Sequence, residues 1–595
     1  MFNFLKNFFI NLKRKKINFI KFIQKHLEWE KKIIKRLHSQ SQEKFKFPSL
    51  KQLKYFPTLL NKKEKVVIVS LLVFIIFSLS ALLIRFQFQL PLKPALGGEY
   101  TEGIVGQPKL NNPLFSSINE VEADITRLIF SSLVKWKNGE IVADLAERWR
   151  IENEGKDYVF QLRKGVFWHD GKEFNADDVI FTVKLIQDEK TKSPLRESLI
   201  NVKVKKIDNY QVEFSLETPF SPFLTFLTFG ILPKHLLKDV PPEDFALNRF
   251  NLSPIGTGPF KFKKLLKSEN EIRGIILERN KKYYLKSPYL EKINFKFFST
   301  LEEAFLALQA KKIEGLALVE KTDKENLPKV IHLYELPLSS YTAIFLNRKK
   351  EFLTKAVREA LILSINKKEI IEELENVEDL NTSIVHPKFK KQNKKYEYNF
   401  SLAKEKLKEE KFQKKDQWFS DKKGEILEIN LVSSDHPRHK KVSEMIKNFW
   451  ETLGIKTNLE ILTKEDFEKV LKEKDYDALL YGIIEGYDPD PFPLWHSSQI
   501  KEGMNLANLK NIKVDTLLEK ARMSFDENER KKYYLEFQEI IDREIPVIFL
   551  YQRSLDYFID KKIKGFNLIN LALPSDRFAN IEDWYIKTKR GRNKN

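Results

Sequence analysis

The chain has 595 residues, 42% hydrophobic and 31% charged, a balance that fits folded domains and excludes a wholly disordered chain. Cysteine is absent, which excludes disulfide scaffolds, thiolate metal sites, thiol catalysis and a lipidated cysteine anchor. The formal charge is +21, but residues 1–65 hold 18 Lys or Arg against 4 Glu. Most of the excess therefore sits in the first 65 residues, the rest is only mildly basic, and nucleic acid is not expected as a partner.

The basic arm, residues 1–65, opens MFNFLKNFFINLKRKKINFIKFIQKHLEWEKKIIKRL, with Phe and Ile at helical spacing among lysines. That pattern suits a helix on an anionic membrane surface, and equally a basic arm that only enforces orientation. Val66 to Ile84 follows as 19 residues without a charge, about 28 Å of helix and enough to cross a hydrocarbon core. Lys62, Lys63 and Lys65 precede it, while only Arg85 and Lys93 stand close behind. Positive-inside bias predicts a cytoplasmic N-terminus with everything from Gln87 onward outside. A basic region this long does not suit a cleaved signal peptide. The expectation is a retained transmembrane signal anchor over 66–84, with cleavage near Ala95 to Gly98 as the alternative, and a proline-bearing spacer over 85–97.

From Gly98 the text becomes that of a domain. Tyr100 to Val105 reads as a strand, and Glu120 to Leu133 as a helix with Val121, Ile125, Leu128 and Ile129 inward. Asn138-Gly139 is a turn. In LAERWRIENEGKDYVFQLRKGVFWHDGKEFNADDVIFTVKLI, residues 145–186, the apolar residues Tyr158, Phe160 and Leu162 recur at every second position, which predicts a hairpin strand turning at Glu154-Gly155. His169-Asp170-Gly171 is a tight bend. Asn175 reads as a helix cap with Asp177 and Asp178 in the first turn, and Val179, Ile180, Val183 and Ile186 give the apolar face. Val212, Phe214 and Leu216 alternate after a turn at Asp208-Asn209. The apolar run 219–236 is broken by Pro222, Gly230 and Pro233 and is expected to pack inside the same domain. Pro254-Ile255-Gly256-Thr257-Gly258-Pro259-Phe260 lacks the lysine of a phosphate loop, and Pro259 removes an amide donor. It reads as a rigid crossover into a strand. Later, Ile426 to Leu462 reads as strand, helix and strand in parallel connection, the helix ended by Gly454. Val547 to Tyr551 reads as a strand.

LAERW with YVFQLRKGVFWHDGKEFNADDVIF, then GTGPF at 256–260, SPYLEKI at 287–293, the strand ending at Asn347 with the helix after it, and VDTLLEKAR at 514–522, together resemble the extracellular solute-binding proteins of family 5. That family serves dipeptide, oligopeptide and nickel importers of the ABC type. The resemblance spans roughly 98–580; around Gly315 the acidic ending usual in the family is missing. It implies an α/β, two-lobed periplasmic-binding-protein-like fold of type II with an extra small domain. Lobe I would comprise 98–138, 255–345 and 547–585, the extra domain 139–254, lobe II 346–546, and 586–595 a basic tail. The body is expected to be monomeric.

The residues Glu485, Asp488 and Asp490 crowd one loop between prolines. On the residues alone they admit acid–base catalysis, ligand binding, or a solvated structural loop. The resemblance implies that Glu485 stands where peptide binders hold a ligand α-ammonium with Asp. Tyr481 and Trp495 are candidates for an aromatic wall or for core packing, and Tyr341 and Asn347 for contacts with a ligand backbone. His169 and Asp170 lack further converging ligands, so no metal, cofactor or catalytic group is expected. The implied activity is capture of small peptides outside the cell and delivery to an ABC permease with its ATPase subunits. The alternatives are the same fold binding a nickel chelate, an oligosaccharide or another cationic solute, a secreted hydrolase, or a tethered sensor.

Overall fold

The computed structural model describes residues 28, 31–32, 60–89, 91–116, 119–268, 271–318, 327–374, 377–386, 388–391, 396–568 and 570–590. Most of the basic arm and residues 591–595 lie outside them. The chain forms two compact units. In the first, Lys62–Gln89 is a single helix, longer than the expected span because it continues through Arg85 into the segment read as a spacer. Its stretch Lys62–Leu82 is long and apolar enough to cross a membrane, with its side chains exposed.

The second unit, Leu92–Lys589, is organised by an eleven-stranded mixed sheet. Its order runs Lys456–Leu462, Glu428–Ser434, Ala478–Ile484, Ile331–Leu346, Val547–Asp560, Gly315–Leu318, Glu99–Val105, Lys292–Phe298, Glu271–Arg279, Phe260–Ser268, with Val377–Asp379 paired to Val547–Asp560. The strand expected to end at Tyr551 instead extends to Asp560, antiparallel to Ile331–Leu346. These two long strands pass from one hydrophobic core to another. Leu336, Leu338 and Leu555 belong to a core that also holds Tyr100, Ile125, Phe295 and Trp584. Tyr341, Ala343 and Phe549 belong to a core with Trp495, Tyr534 and Phe537. The pairing register breaks between Pro337 and Tyr341, where proline cannot donate to the ladder. By core membership we propose that the lobes divide at this break, near residues 338–341 and 550–554, rather than at 345/346 and 546/547.

The stretch 145–186 folds as its pattern requires. Ala146–Glu152 and Asp157–Leu162 pair antiparallel, joined by Lys203–Asp208 and Gln211–Ser215 in a four-stranded sheet. Asn175 caps Ala176–Gln187 through the Asp177 amide, and Asp178 returns the bond to the Asn175 amide, a capping box. Val179, Val183 and Ile186 are fully buried, while Ile180 is half-buried. Tyr158, Phe160 and Val212 share one core with Phe295 and Trp584, so this small sheet is packed continuously onto the larger one. The apolar run 219–236 joins the same core through Phe223, Leu227, Ile231 and Leu232. The helix from Glu120 stops at Ile129 rather than Leu133, because Phe130 is already extended (φ −107°, ψ 153°) and the chain goes on to the strand Val134–Lys137.

His169 explains both the bend and the glycine crossover. Its Nδ1 accepts from the Gly256 amide at 3.2 Å and its Nε2 lies 3.1 Å from the Gly258 carbonyl. One nitrogen accepting and the other donating is the neutral ring, and burial holds the His169 pKa down to about 4. A β-carbon at Gly256 or Gly258 would collide with the carbonyl end of the helix Glu120–Ile129. Trp168 is buried and Asp170 meets His235 at 2.7 Å.

Beside the long strands, Arg577 is fully buried and pairs with Glu102 at 2.9 Å and with Asp124 at 2.8 Å. Tyr100 and Tyr557 also reach Glu102. Burial pushes the carboxyls of Glu102 and Asp124 up, and Arg577 opposes the shift. Removing the cation would strand two desolvated acids. Arg577→Ala is expected to cost about 3–5 kcal/mol, read as a lowered midpoint in urea or guanidinium unfolding; an unchanged midpoint would show that the pair contributes nothing net.

Candidate functional site

The strand Ala478–Ile484 pairs with Ile331–Leu346 so that Ile484 faces Ser340, and it ends where the two long strands change cores. Glu485 comes next. Its amide donates to the Ser339 carbonyl at 2.8 Å. Its two carboxylate oxygens accept from the Val385 amide at 2.8 Å and the His386 amide at 3.0 Å. A carboxylate has about four acceptor sites, so these amides leave room for further donors. Burial pushes the Glu485 pKa up to about 8, against the pull of the two amides. A cation beside it would therefore be held strongly. Tyr341, one strand away, is fully buried with its ring edge-on to Phe549 at 5.5 Å. Its hydroxyl has no hydrogen-bond partner among the described residues, and burial, then the Glu485 charge, pushes its pKa up.

The other expected residues have different surroundings. Asn347 is buried; its amide donates to the carbonyls of Lys474 and Tyr476, and its oxygen accepts from the Lys349 amide and Asn508. It fastens the end of its strand to the turn before Ala478. Trp495 is buried between Phe345 and Phe537, ring centroids about 6 Å away. Tyr481 is half-buried and stacked on Phe467 at 6.0 Å. These packing contacts fit the core reading of both aromatics. Asp488 and Asp490 hold arginines: Arg530 meets Asp488 in a two-point pair at 2.6 and 2.5 Å, and Arg522 grips Asp490 at 2.7–3.1 Å. With both carboxylates engaged in this way, the acidic run acts as a braced loop rather than as an acid–base pair.

Two cavities flank this loop. One, of about 400 Å³, is lined by Pro337, Leu338, Ser339, Glu378, Val385, Lys390, Gln552 and Asn570, so it includes Ser339 and Val385, two of the three residues bonded to Glu485. The other, of about 260 Å³, is bounded by Arg127, Trp136, Phe226, Phe229, Tyr487 and Phe578 among others. Trp136 is buried, and its Nε1 has no partner among the described residues. Tyr487 stacks on Trp136 with centroids 5.2 Å apart. Sequence reasoning missed Lys390, Trp136, Arg127 and Tyr487. Tyr487 stands inside the acidic run, but its partner Arg127 lies 360 positions away, and no local pattern reports such a contact.

Comparison with known proteins gives this geometry a setting. The family model "Bacterial extracellular solute-binding proteins, family 5 Middle" matches residues 140–504. The chain is 30% identical over 515 residues to the oligopeptide-binding protein AppA of Bacillus subtilis (strain 168), covering 83% of this chain and 92% of that one. It is 26% identical over 502 residues to a dipeptide-binding protein of Escherichia coli (strain K12), covering 78% and 90%. Among solved structures, Bacillus subtilis AppA in complex with a nonapeptide superposes with a TM-score of 0.65 at 28% identity, over 83% of this chain and all of that one. NikZ from Campylobacter jejuni in complex with Ni(L-His) gives 0.64 at 27% identity, over 82% and 99%. The fold is that of the two-lobed periplasmic binding proteins, and the chain belongs to family 5 of the bacterial extracellular solute-binding proteins.

Proposed function

We propose that this protein is a membrane-anchored, extracytoplasmic receptor that captures small peptides and hands them to an ABC import permease. The observation that carries the reading is Glu485. Its carboxylate is desolvated, oriented by two amides and still open to donors, which suits the α-ammonium of a peptide. Support comes also from the named peptide-binding relatives. Lys390, on the wall of the larger cavity, donates to Gln552 at 2.8 Å and offers a positive charge for a carboxylate end. Cavities of this size fall toward the small end of ligand sites, favouring short peptides. The apolar helix before the body would serve as the anchor, with the lysine-rich side in the cytoplasm. Capture is without chemical change, and ATP hydrolysis belongs to the partner.

Because one neighbour holds a nickel–histidine complex, the same site read as a chelate binder is the rival. Native mass spectrometry of residues 92–595, purified without denaturation, separates the two. Mixed peptides of two to five residues are the expected adducts; a discrete metal-complex mass would overturn the peptide reading.

Glu485→Gln should weaken peptide binding by roughly 10–100-fold, the loss of a charged hydrogen bond worth about 1.5–3 kcal/mol. Titration calorimetry should also find the wild-type affinity rising with pH toward 8, since an ammonium must displace the Glu485 proton, and then falling as the peptide amine loses its own. The variant should show no such rise below pH 8. In the absence of ligand, a carboxyl raised in the folded state adds stability below its unfolded pKa of about 4.3 and loses it as pH climbs to about 8. The gap in unfolding temperature between wild type and Glu485→Gln should shift accordingly across that window. Asn347→Ala should lower the unfolding midpoint by the equivalent of about 1–3 kcal/mol and leave peptide affinity within twofold or so; lost affinity at unchanged stability would restore Asn347 to the ligand site.

A further inference from the structure

The loop Glu485–Asp490 reaches across the molecule as well as toward a ligand. Tyr487 receives a hydrogen bond from Arg127 Nη1 at 3.3 Å and donates to Asp576 at 3.1 Å, while Arg127 and Asp576 pair at 2.8 Å. Its ring lies on Trp136, whose carbonyl accepts from Arg127. Arg127, Trp136 and Asp576 all belong to the part of the fold built around the Tyr100–Trp584 core, whereas Tyr487 follows the strand Ala478–Ile484, which packs in the other lobe. Alongside, His386 meets the edge of Trp136 at 5.8 Å and Lys388 lies 3.8 Å from Glu140.

A second bridge starts from the same loop. Asp490 fixes Arg522, whose guanidinium covers Phe492 at 3.6 Å and also lies 5.3 Å from Phe220 of the small-sheet region. Ser221 donates to the Ala521 carbonyl at 3.3 Å, and Phe525 packs onto Gly155 and Tyr158. The first bridge is a ring stack with hydrogen bonds to a buried acid, and the second a cation–aromatic contact with one hydrogen bond. Neither uses a solute atom.

We propose that Glu485–Asp490 is a built-in latch that holds the lobes closed without ligand, Tyr487 on the Arg127–Asp576–Trp136 face and Asp490, through Arg522, on Phe220. Tyr487 is thus a positioning residue, and its action is independent of which solute the protein carries. A short loop that carries both the solute carboxylate and the latch links occupancy to closure, since a ligand drawn to Glu485 steadies the residue two positions from Tyr487. Closure is then a pre-existing state that the solute reinforces.

The absence of native cysteine permits a direct test in the full chain. Lys203→Cys and Lys472→Cys, both at exposed positions, would carry spin labels on the small-sheet region and on the other lobe, and the protein would be denatured and refolded to strip bound solute. Double electron–electron resonance should give a short, narrow label distance for the parent. Tyr487→Ala should lengthen it by more than about 2 Å, the scale of a real domain rearrangement. Tyr487→Phe, which keeps the stack and loses both hydrogen bonds, should give a mixture of the two distances and decides the matter alone if the alanine variant does not fold. Superimposable distributions for parent and variants, or a parent already at the long distance, would overturn the latch. Because no solute is added, failure here leaves the peptide reading untouched, and failure of the peptide reading leaves the latch standing.

Discussion

The structure depends on two strands being long enough to serve two cores. Ile331–Leu346 and Val547–Asp560 lie antiparallel over most of their length, and each contributes alternate side chains first to one apolar interior and then to the next. Hydrogen bonding along the pair resists separation, and the ladder is interrupted at Pro337–Tyr341, where we propose that the lobes divide. Any group fixed beside that interruption senses the relation between the lobes. Glu485 is such a group, since its own amide is tied to the Ser339 carbonyl. The carboxylate proposed for the solute thus stands beside the proposed division between the lobes.

Buried charge is distributed in a matching way. Arg577 with Glu102 and Asp124 forms a closed set inside one lobe, where each ion has a partner and the desolvation cost is offset locally. Arg530 with Asp488 and Arg522 with Asp490 do the same for the loop that follows Glu485. Glu485, at the head of that loop, is held by two backbone amides and by no arginine among the described residues. That contrast within one loop, with Asp488 and Asp490 each paired to an arginine and Glu485 held by amides, is the ground for proposing Glu485 rather than its two neighbours as the carboxylate for a solute cation.

Much of this was legible in the text of the chain, and the reasons are local. The Asn175 capping box, the Glu154-Gly155 hairpin, the Gly454 helix end and the uncharged run after Lys65 each declare themselves within a few residues, because caps, turns and hydrophobic period are short-range physics. The resemblance carried by WHDG and GTGPF also pointed to the right family. What stayed hidden was long-range. Trp495 and Asn347 have the composition of ligand-contact residues, yet one packs between Phe345 and Phe537 and the other ties its strand to the Lys474–Tyr476 turn, and only the tertiary neighbours decide that. The full length of Val547–Asp560 was obscured because Gln552, Arg553, Ser554 and Asp556 interrupt its apolar pattern where the strand leaves one core for the other. Tyr487 was passed over for its acidic neighbours.

The His169 brace carries a consequence of its own. A neutral imidazole fastens the bend after the small hairpin sheet to two glycines that themselves press on a helix end, so three distant parts of the chain share one uncharged fastener. With its pKa depressed to about 4 against about 6.5 in the unfolded chain, the ring favours the folded form at neutral pH and surrenders that advantage as acidity approaches the lower value. Acid would then undo this junction by giving the ring a proton on the nitrogen that must accept from Gly256, a loosening driven by chemistry at a single atom.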